Sequence, residues 1–225
     1  MAFSFTTMNN YTLHNISIET WVQGGPNTLN DLVGSVVLVE VFQVNCPGCF
    51  MYALPKAIQL HEHYQDKGLK IIGLATAFED YDKNTLGNLQ RLVESGEVIG
   101  ETLKALTHQG MLTDGKLKWR LPFPVGMDRV LPESEPLTEE RILSYTRNCL
   151  PEFDGLLEER KQAALNQVRN YLQQKTMKAE TFERFALQGT PSSILFDRKG
   201  QIQDISFGQT ESQPALIEQL LASTD

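Results

Sequence analysis

The apolar positions of this chain are unevenly spread, and the densest run falls at Val36–Val44. Six Val or Leu and one Phe fill these nine positions, and only Glu40 and Gln43 interrupt them. A run of this kind reads as a strand covered by helices on both faces. The pattern then changes period. Phe50, Leu54, Ile58, His61 and Tyr64 recur at three- and four-residue steps, predicting a helix from just after Cys46 to about Asp66, with Gly68 as its stop. Pro47 sits where the helix begins, and Pro55 falls inside it and should kink it. Leu69–Ala77 is apolar again and predicts a second strand. Strand, helix and strand over 36–77 make a βαβ unit, which requires parallel strands and a right-handed crossover.

The remaining elements follow from weaker patterns. Residues 1–27 are polar with scattered apolar positions (Phe5, Tyr11, Leu13, Ile16, Ile18, Trp21, Val22), which predict one or two short strands. Residues 28–34 predict a helical turn stopped by Gly34. Helices are expected over 84–94 and 99–108, a small hairpin over 112–119, and a short strand over 122–127. The prolines of that strand place it at a sheet edge. From 131 to 186 the texture turns helical and charged, predicting an α-hairpin inserted into an α/β domain. Its first helix, capped by Thr138, carries Ile142, Tyr145 and Cys149; its second carries Leu157, Ala164, Val168, Tyr171 and Leu172. Strands at 192–196 and 201–207 flank the turn Asp197-Arg-Lys-Gly200, and a helix over 212–222 closes the chain.

The chemistry concentrates at Cys46-Pro-Gly-Cys49, directly after the apolar run. With Pro47 in the first turn, Cys46 becomes the N-cap, and its sulfur points at the free N–H groups of Gly48 and Cys49 and at the positive end of the helix dipole. Such settings lower a thiol pKa from about 8.5 to roughly 3.5–7.5. Cys49 lies three residues on, on the same helix face. The pair therefore reads as a reversible dithiol/disulfide couple in which Cys46 attacks and Cys49 resolves. Half of a zinc site is a competing reading, but a second Cys/His pair is missing, and His61 and His63 face different ways. Two inert core thiols are the other. Cys149 lies on an apolar stripe and reads as a packed thiol, with a second resolving cysteine as the alternative.

Composition narrows the setting. The 225 residues suit one α/β domain, 1–225, carrying the helical insertion 131–186. A net charge of −8 argues against nucleic acid and anionic membrane surfaces as partners. No run approaches a membrane span, and the first twenty residues lack the charged start and apolar core of a leader. Three cysteines do not make a disulfide framework. A cytoplasmic location with a transient, catalytic disulfide is the expectation.

Several of these pieces occur together in one known group. Thr28-Leu-x-x-Leu-x-Gly34, the strand ending in Cys46-Pro-Gly-Cys49, the strand at 69–77, Phe123-Pro-Val-Gly, and Gly189-Thr-Pro191 before a hairpin and terminal helix resemble the thioredoxin-like redoxins. The branch they are most similar to is that of TlpA-like disulfide reductases and alkyl-hydroperoxide-reductase-like proteins. The resemblance implies a three-layer α/β fold, a central mixed sheet flanked by helices, with the insertion placed before a strand entered through a cis proline. It implies that Cys46 is the exposed nucleophile and Cys49 the resolving thiol. Pro191 would be the cis proline facing them, and Thr190, Pro191 and Pro47 would meet an incoming substrate, Thr190 through its backbone. Glu40, six residues before Cys46, would be a buried acid that accepts the Cys49 proton. No cofactor or metal is implied. The partners implied are a disulfide-containing protein or small thiol substrate and a thiol or reductase donor, with the oligomeric state unspecified. The sequence departs from the family at Asn45, where tryptophan is usual, and at Pro47-Gly48, where Gly-Pro is usual. Val39 and Gln43 stand where peroxiredoxins carry the residues that hold peroxide. The expected activity is thiol–disulfide exchange; the alternatives are a thiol peroxidase using Cys46 and a redox-sensing module that docks a partner.

Overall fold

A computed structural model describes residues 11–223, so the part of the 1–27 expectation that includes Phe5 lies outside the described residues. The chain forms, in order, β1 (Ile18–Gln23), β2 (Val36–Phe42), α1 (Leu54–Tyr64), β3 (Leu69–Ala75), α2 (Leu86–Ser95), α3 (Gly100–His108), β4 (Leu112–Thr113), β5 (Lys116–Leu117), β6 (Val125–Asp128) and β7 (Val130–Pro132). There follow α4 (Glu139–Cys149), α5 (Glu158–Gln174), β8 (Met177–Ala179), α6 (Glu180–Arg184), β9 (Ser192–Phe196), β10 (Ile202–Phe207) and α7 (Gln213–Ala222). Six strands make the central sheet in the order β1-β6-β3-β2-β9-β10. β2 runs parallel to β3 and antiparallel to β9, so the sheet is mixed.

β2 is buried along its whole length, and its alternation sorts its side chains between two cores. Val36, Leu38 and Phe42 pack with Phe50 and Leu54 of the helical segment after Cys46, Leu89 of α2, Leu106 of α3 and Ile217 of α7. Val37, Val39 and Val41 pack on the other face with Leu13, Ile16, Phe182, Phe185 and Phe196. The molecule is therefore a three-layer α/β fold in which helices cover a mixed sheet. No helix among the described residues is long and apolar enough to cross a membrane.

The segment after Cys46 differs from a simply kinked helix. Cys49–Ala53 form a π turn, and the Leu54 N–H reaches back five residues to Cys49 O before α1 continues. Pro55 has no N–H to give and its ring needs room over the preceding turn, which the widened turn supplies. Gly68 then ends the segment with φ +102°.

β6 is not the edge strand its prolines predicted. It pairs with β3 on one side and with β1 on the other. Pro122 and Pro124 lie ahead of the paired residues, and the Pro124 carbonyl accepts from the Gly73 N–H at 2.9 Å, a role that needs no donor.

Within 131–186, α4 and α5 stand between β7 and β8, which pair antiparallel, and Phe182 and Phe185 enter the second core. Asp128, fully buried at the end of β6, accepts from the Thr181 and Phe182 N–H groups at 3.0 and 3.2 Å and from Thr76 Oγ1 at 2.9 Å, fastening α6 to the sheet. The buried Lys175 ammonium pairs with Glu133 at 3.4 Å and with Glu183, and Arg141 reaches Glu133 at 2.7 Å. Leu157 does not belong to the α5 stripe: it precedes the helix and is exposed, and Leu172 is the side chain α5 buries.

Candidate active site

The central strand delivers Cys46 to the sheet end and the following turn carries Cys49 inward. The two are disulfide-bonded, with Cα atoms 5.4 Å apart. Cys46 is partly exposed, whereas Cys49 is fully buried beside Phe50. Of the two N–H groups expected to face the Cys46 sulfur, that of Cys49 reaches it at 3.2 Å. The sulfur also lies 3.5 Å from Thr190 O. The Thr190–Pro191 peptide is cis, and the pyrrolidine packs across the pair: a side-chain carbon at Gly48 would stand 3.9 Å from Pro191 Cδ. Pro47 opens the helix at the partly exposed rim. One outer sulfur, one inner sulfur, a first-turn N–H and a carbonyl at a strand end thus converge, an arrangement suited to passing a disulfide between two chains.

Several solved structures share this fold. A thiol-disulfide isomerase from Corynebacterium glutamicum is 26% identical with a TM-score of 0.58, and the match covers 96% of this chain and 99% of that one. A protein described as belonging to the thioredoxin-like superfamily is 23% identical, TM-score 0.57, over 95% and 97% of the two chains. A thioredoxin-like protein solved in its oxidized form is 14% identical, TM-score 0.50, over 95% and 97%. No protein-family model matches the chain, and no curated protein matches it. The chain has the thioredoxin-like fold.

In this thioredoxin-like protein Glu40 lies on β2 at a position that alternation gives to the α1 face, the face of Leu38, Phe42 and Cys49. It is only 5% exposed. Its carboxyl accepts no hydrogen bond from any described residue, and burial pushes its pKa from the ordinary 4.5 up to about 8, against the opposing charge of Lys56. It lines a cleft of about 530 Å³ between the π turn, Lys56 and the segment Gly208–Gln213. Lys56 Nζ is tethered there by donating to Thr210 O at 2.5 Å.

Gln43 is the site residue that sequence reasoning passed over. Buried at the end of β2, it accepts from Thr190 Oγ1 at 3.2 Å and donates through Nε2 to Glu79 O at 3.2 Å. A polar side chain inside an apolar run was the signal for it. Cys149 departs from expectation. It is exposed in the last turn of α4, where the stripe has already ended at Thr146, so it is not a packed core thiol. Although the residue as a whole is exposed, its thiol turns into a separate cavity of about 410 Å³ beside Tyr145 and Glu183, where partial loss of solvent, helped by the Glu183 charge, pushes its pKa up. That cavity shares no lining residue with the Glu40 cleft.

Proposed function

We propose that the protein is a thiol–disulfide oxidoreductase working through Cys46 and Cys49, in the manner of the TlpA-like branch. The observation that carries the reading is the position of the Cys46 sulfur, accessible and set between the Cys49 N–H and Thr190 O while Cys49 stays buried behind it. The similarity to a thiol-disulfide isomerase supports it.

In the reducing direction the Cys46 thiolate attacks one sulfur of a substrate disulfide, and the other sulfur leaves as a thiolate and takes a proton. The substrate lies along Thr190–Pro191 as an added strand, with Pro47 at its flank. Glu40, when ionised, accepts the Cys49 proton. The Cys49 thiolate then attacks Cys46 Sγ and expels the second substrate thiolate. Two electrons have moved from the protein to the substrate, and a thiol or reductase donor returns them. A Glu40 pKa of about 8 leaves a minority of the carboxyl ionised at neutral pH and lets it both take and return a proton. In a cytoplasm, the setting expected from the cysteine usage, the reduced dithiol is the resting form.

The test is reduction of insulin disulfides with a dithiol donor. Turnover that disappears in Cys46→Ser supports the reading, and a Cys49→Ser variant should accumulate mixed disulfides identifiable by mass spectrometry. Consumption of hydrogen peroxide at a higher rate than insulin reduction would replace this reading with a thiol peroxidase.

A further inference from the structure

Val44 and Asn45 form the turn between β2 and Cys46, and four hydrogen bonds tie these two residues to segments remote in sequence. The Asn45 backbone N–H donates to Asn84 Oδ1 at 3.0 Å. Its side-chain Nδ2 donates to Asp80 Oδ2 at 2.6 Å, and its Oδ1 accepts from the Glu101 N–H at 2.7 Å. The fully buried Thr102 donates through Oγ1 to Val44 O at 2.9 Å. Glu101 and Thr102 belong to the first turn of α3, whose own N-cap residue, Ile99, has no side-chain oxygen to offer. Asn45 supplies it from across the fold. The surrounding backbone is shaped to the contact. Asp80 holds φ +47°, and Gly100 holds φ +55° where any side-chain carbon would collide with Asn45 Oδ1.

We propose that Asn45 is a positioning residue for Cys46: by bridging Asp80 to the start of α3 it holds the nucleophilic sulfur over the Cys49 N–H and beside Thr190 O. The proposal rests on the oxidoreductase reading above and deepens it. On its C-terminal side Cys46 is fixed by the helix that begins at Pro47. On its N-terminal side β2 has ended at Phe42, and the Val44–Asn45 anchors set the remaining freedom. With the bridge cut, the turn can rotate and the 3.2 Å approach of sulfur to N–H lengthens. A thiolate that loses this donor and the first-turn partial charge is less favoured. The charged groups near the turn are Lys83, which pairs with Asp82 at 3.5 Å and with Asp80 at 3.9 Å, and Glu101, paired with Lys104 at 2.7 Å; Glu40 and Lys56 lie toward α1.

The experiment is peptide-resolved alkylation of Cys46 by iodoacetamide at pH 6, in the reduced full-length protein, alongside insulin turnover and the thermal midpoint. Asn45→Ala should slow alkylation roughly three- to tenfold, the size of one lost hydrogen bond. Asp80→Ala should slow it too, and the double variant should be no slower than Asn45→Ala. An effect of charge alone has the opposite sign, since removing the Asp80 carboxylate, with Lys83 still paired to Asp82 at 3.5 Å, would favour the thiolate and speed the reaction. A faster Asp80→Ala overturns the proposal, as do independent, multiplying effects or a lowered midpoint with unchanged alkylation. Asp80 is half exposed, so the sign of its variant decides the matter even if Asn45→Ala does not fold. If the wild type neither reduces insulin nor alkylates faster than a free thiol, the oxidoreductase reading fails. If it does both and the variants match it, the positioning role fails alone.

Discussion

Replacing Glu40 by Gln should make the protein more stable and less active, and the gain in stability should grow with pH. The carboxyl is buried on β2, without a described donor, and holds its proton up to about pH 8 against an ordinary 4.5. The sign follows from which state binds the proton more tightly. Here it is the folded state, so the contribution to stability is complete below 4.5 and is lost as pH rises through 8. At ~1.36 kcal/mol per pH unit, the gap between 4.5 and about 8 sets a ceiling of about 5 kcal/mol. At pH 7 the unfolded carboxyl is ionised while the folded one is about nine-tenths neutral, and the penalty is about 3 kcal/mol. Gln has nearly the same shape and stays neutral, so it escapes the penalty at every pH. Urea unfolding of the oxidised forms should therefore show Glu40→Gln equal to wild type near pH 4, more stable by about 3 kcal/mol at pH 7 and by about 5 at pH 9. Activity should move the other way. With its base removed, release of the mixed disulfide should slow on the order of ten- to a hundredfold, and the rise of wild-type turnover toward pH 8 should flatten. A stability gain that is the same at pH 4 and pH 9, or a wild type that is the more stable at pH 9, would refute the reasoning.

Three further changes test other parts of the structure. Gln43→Ala removes the acceptor that orients the Thr190 hydroxyl, and it should raise KM for protein disulfides several-fold while leaving Cys46 alkylation close to wild type. Asp128→Ala strands the Thr181 and Phe182 N–H groups and the Thr76 hydroxyl at about 1–3 kcal/mol for each buried donor left unpaired. Its urea midpoint should fall sharply, and Asp128→Asn, which keeps acceptor capacity, should lose less. Cys149→Ser should leave insulin turnover within about twofold of wild type, because the thiol lines a different cavity and its partial desolvation there disfavours the thiolate. A large loss of turnover would restore Cys149 as a second resolving cysteine.

Local chemistry was the legible part of this sequence, and contacts spanning the chain were not. The apolar run at Val36–Phe42, interrupted only by Glu40, the Cys-Pro-Gly-Cys junction and the turn at Asp197–Gly200 each carry their signal within a dozen residues, and each forms where the pattern puts it. β6 misled because its second partner, β1, lies about a hundred residues earlier: the pattern predicts short strands over 1–27, but nothing in it says which strand they pair with. Two prolines then outweighed a neighbour that could not be seen. The π turn was hidden for another reason. Pro55 signals a disturbed helix, but whether the backbone bends or inserts a wider turn depends on how Phe50 and Leu54 seat in the core. Cys149 shows the limit of helical spacing: the stripe through Ile142, Tyr145 and Cys149 predicts a packed thiol, yet Cys149 falls in the last turn of α4, where the residue is exposed and its side chain borders a cavity.

The register of one strand pair explains why the site assembles at all. β2 and β9 are matched from Val37↔Phe196 to Val41↔Ser192. Continued two residues further, that register brings Phe42 level with Pro191 and Gln43 level with Thr190. Pro191 has no N–H, so the ladder cannot continue through it. A side-chain bond takes over where the backbone bond is lost, since Thr190 Oγ1 donates to Gln43 Oε1. The same alternation that sends Glu40 to the α1 face sends Phe42 there too, above the segment that holds Cys49. A slip of one residue in β2 would turn Glu40 to the opposite face and move Cys46 off Thr190, removing acid, nucleophile and substrate edge together. The apolar side chains on both faces of β2 make such a slip prohibitive, so the burial that stabilises the sheet also fixes the distances on which disulfide exchange depends.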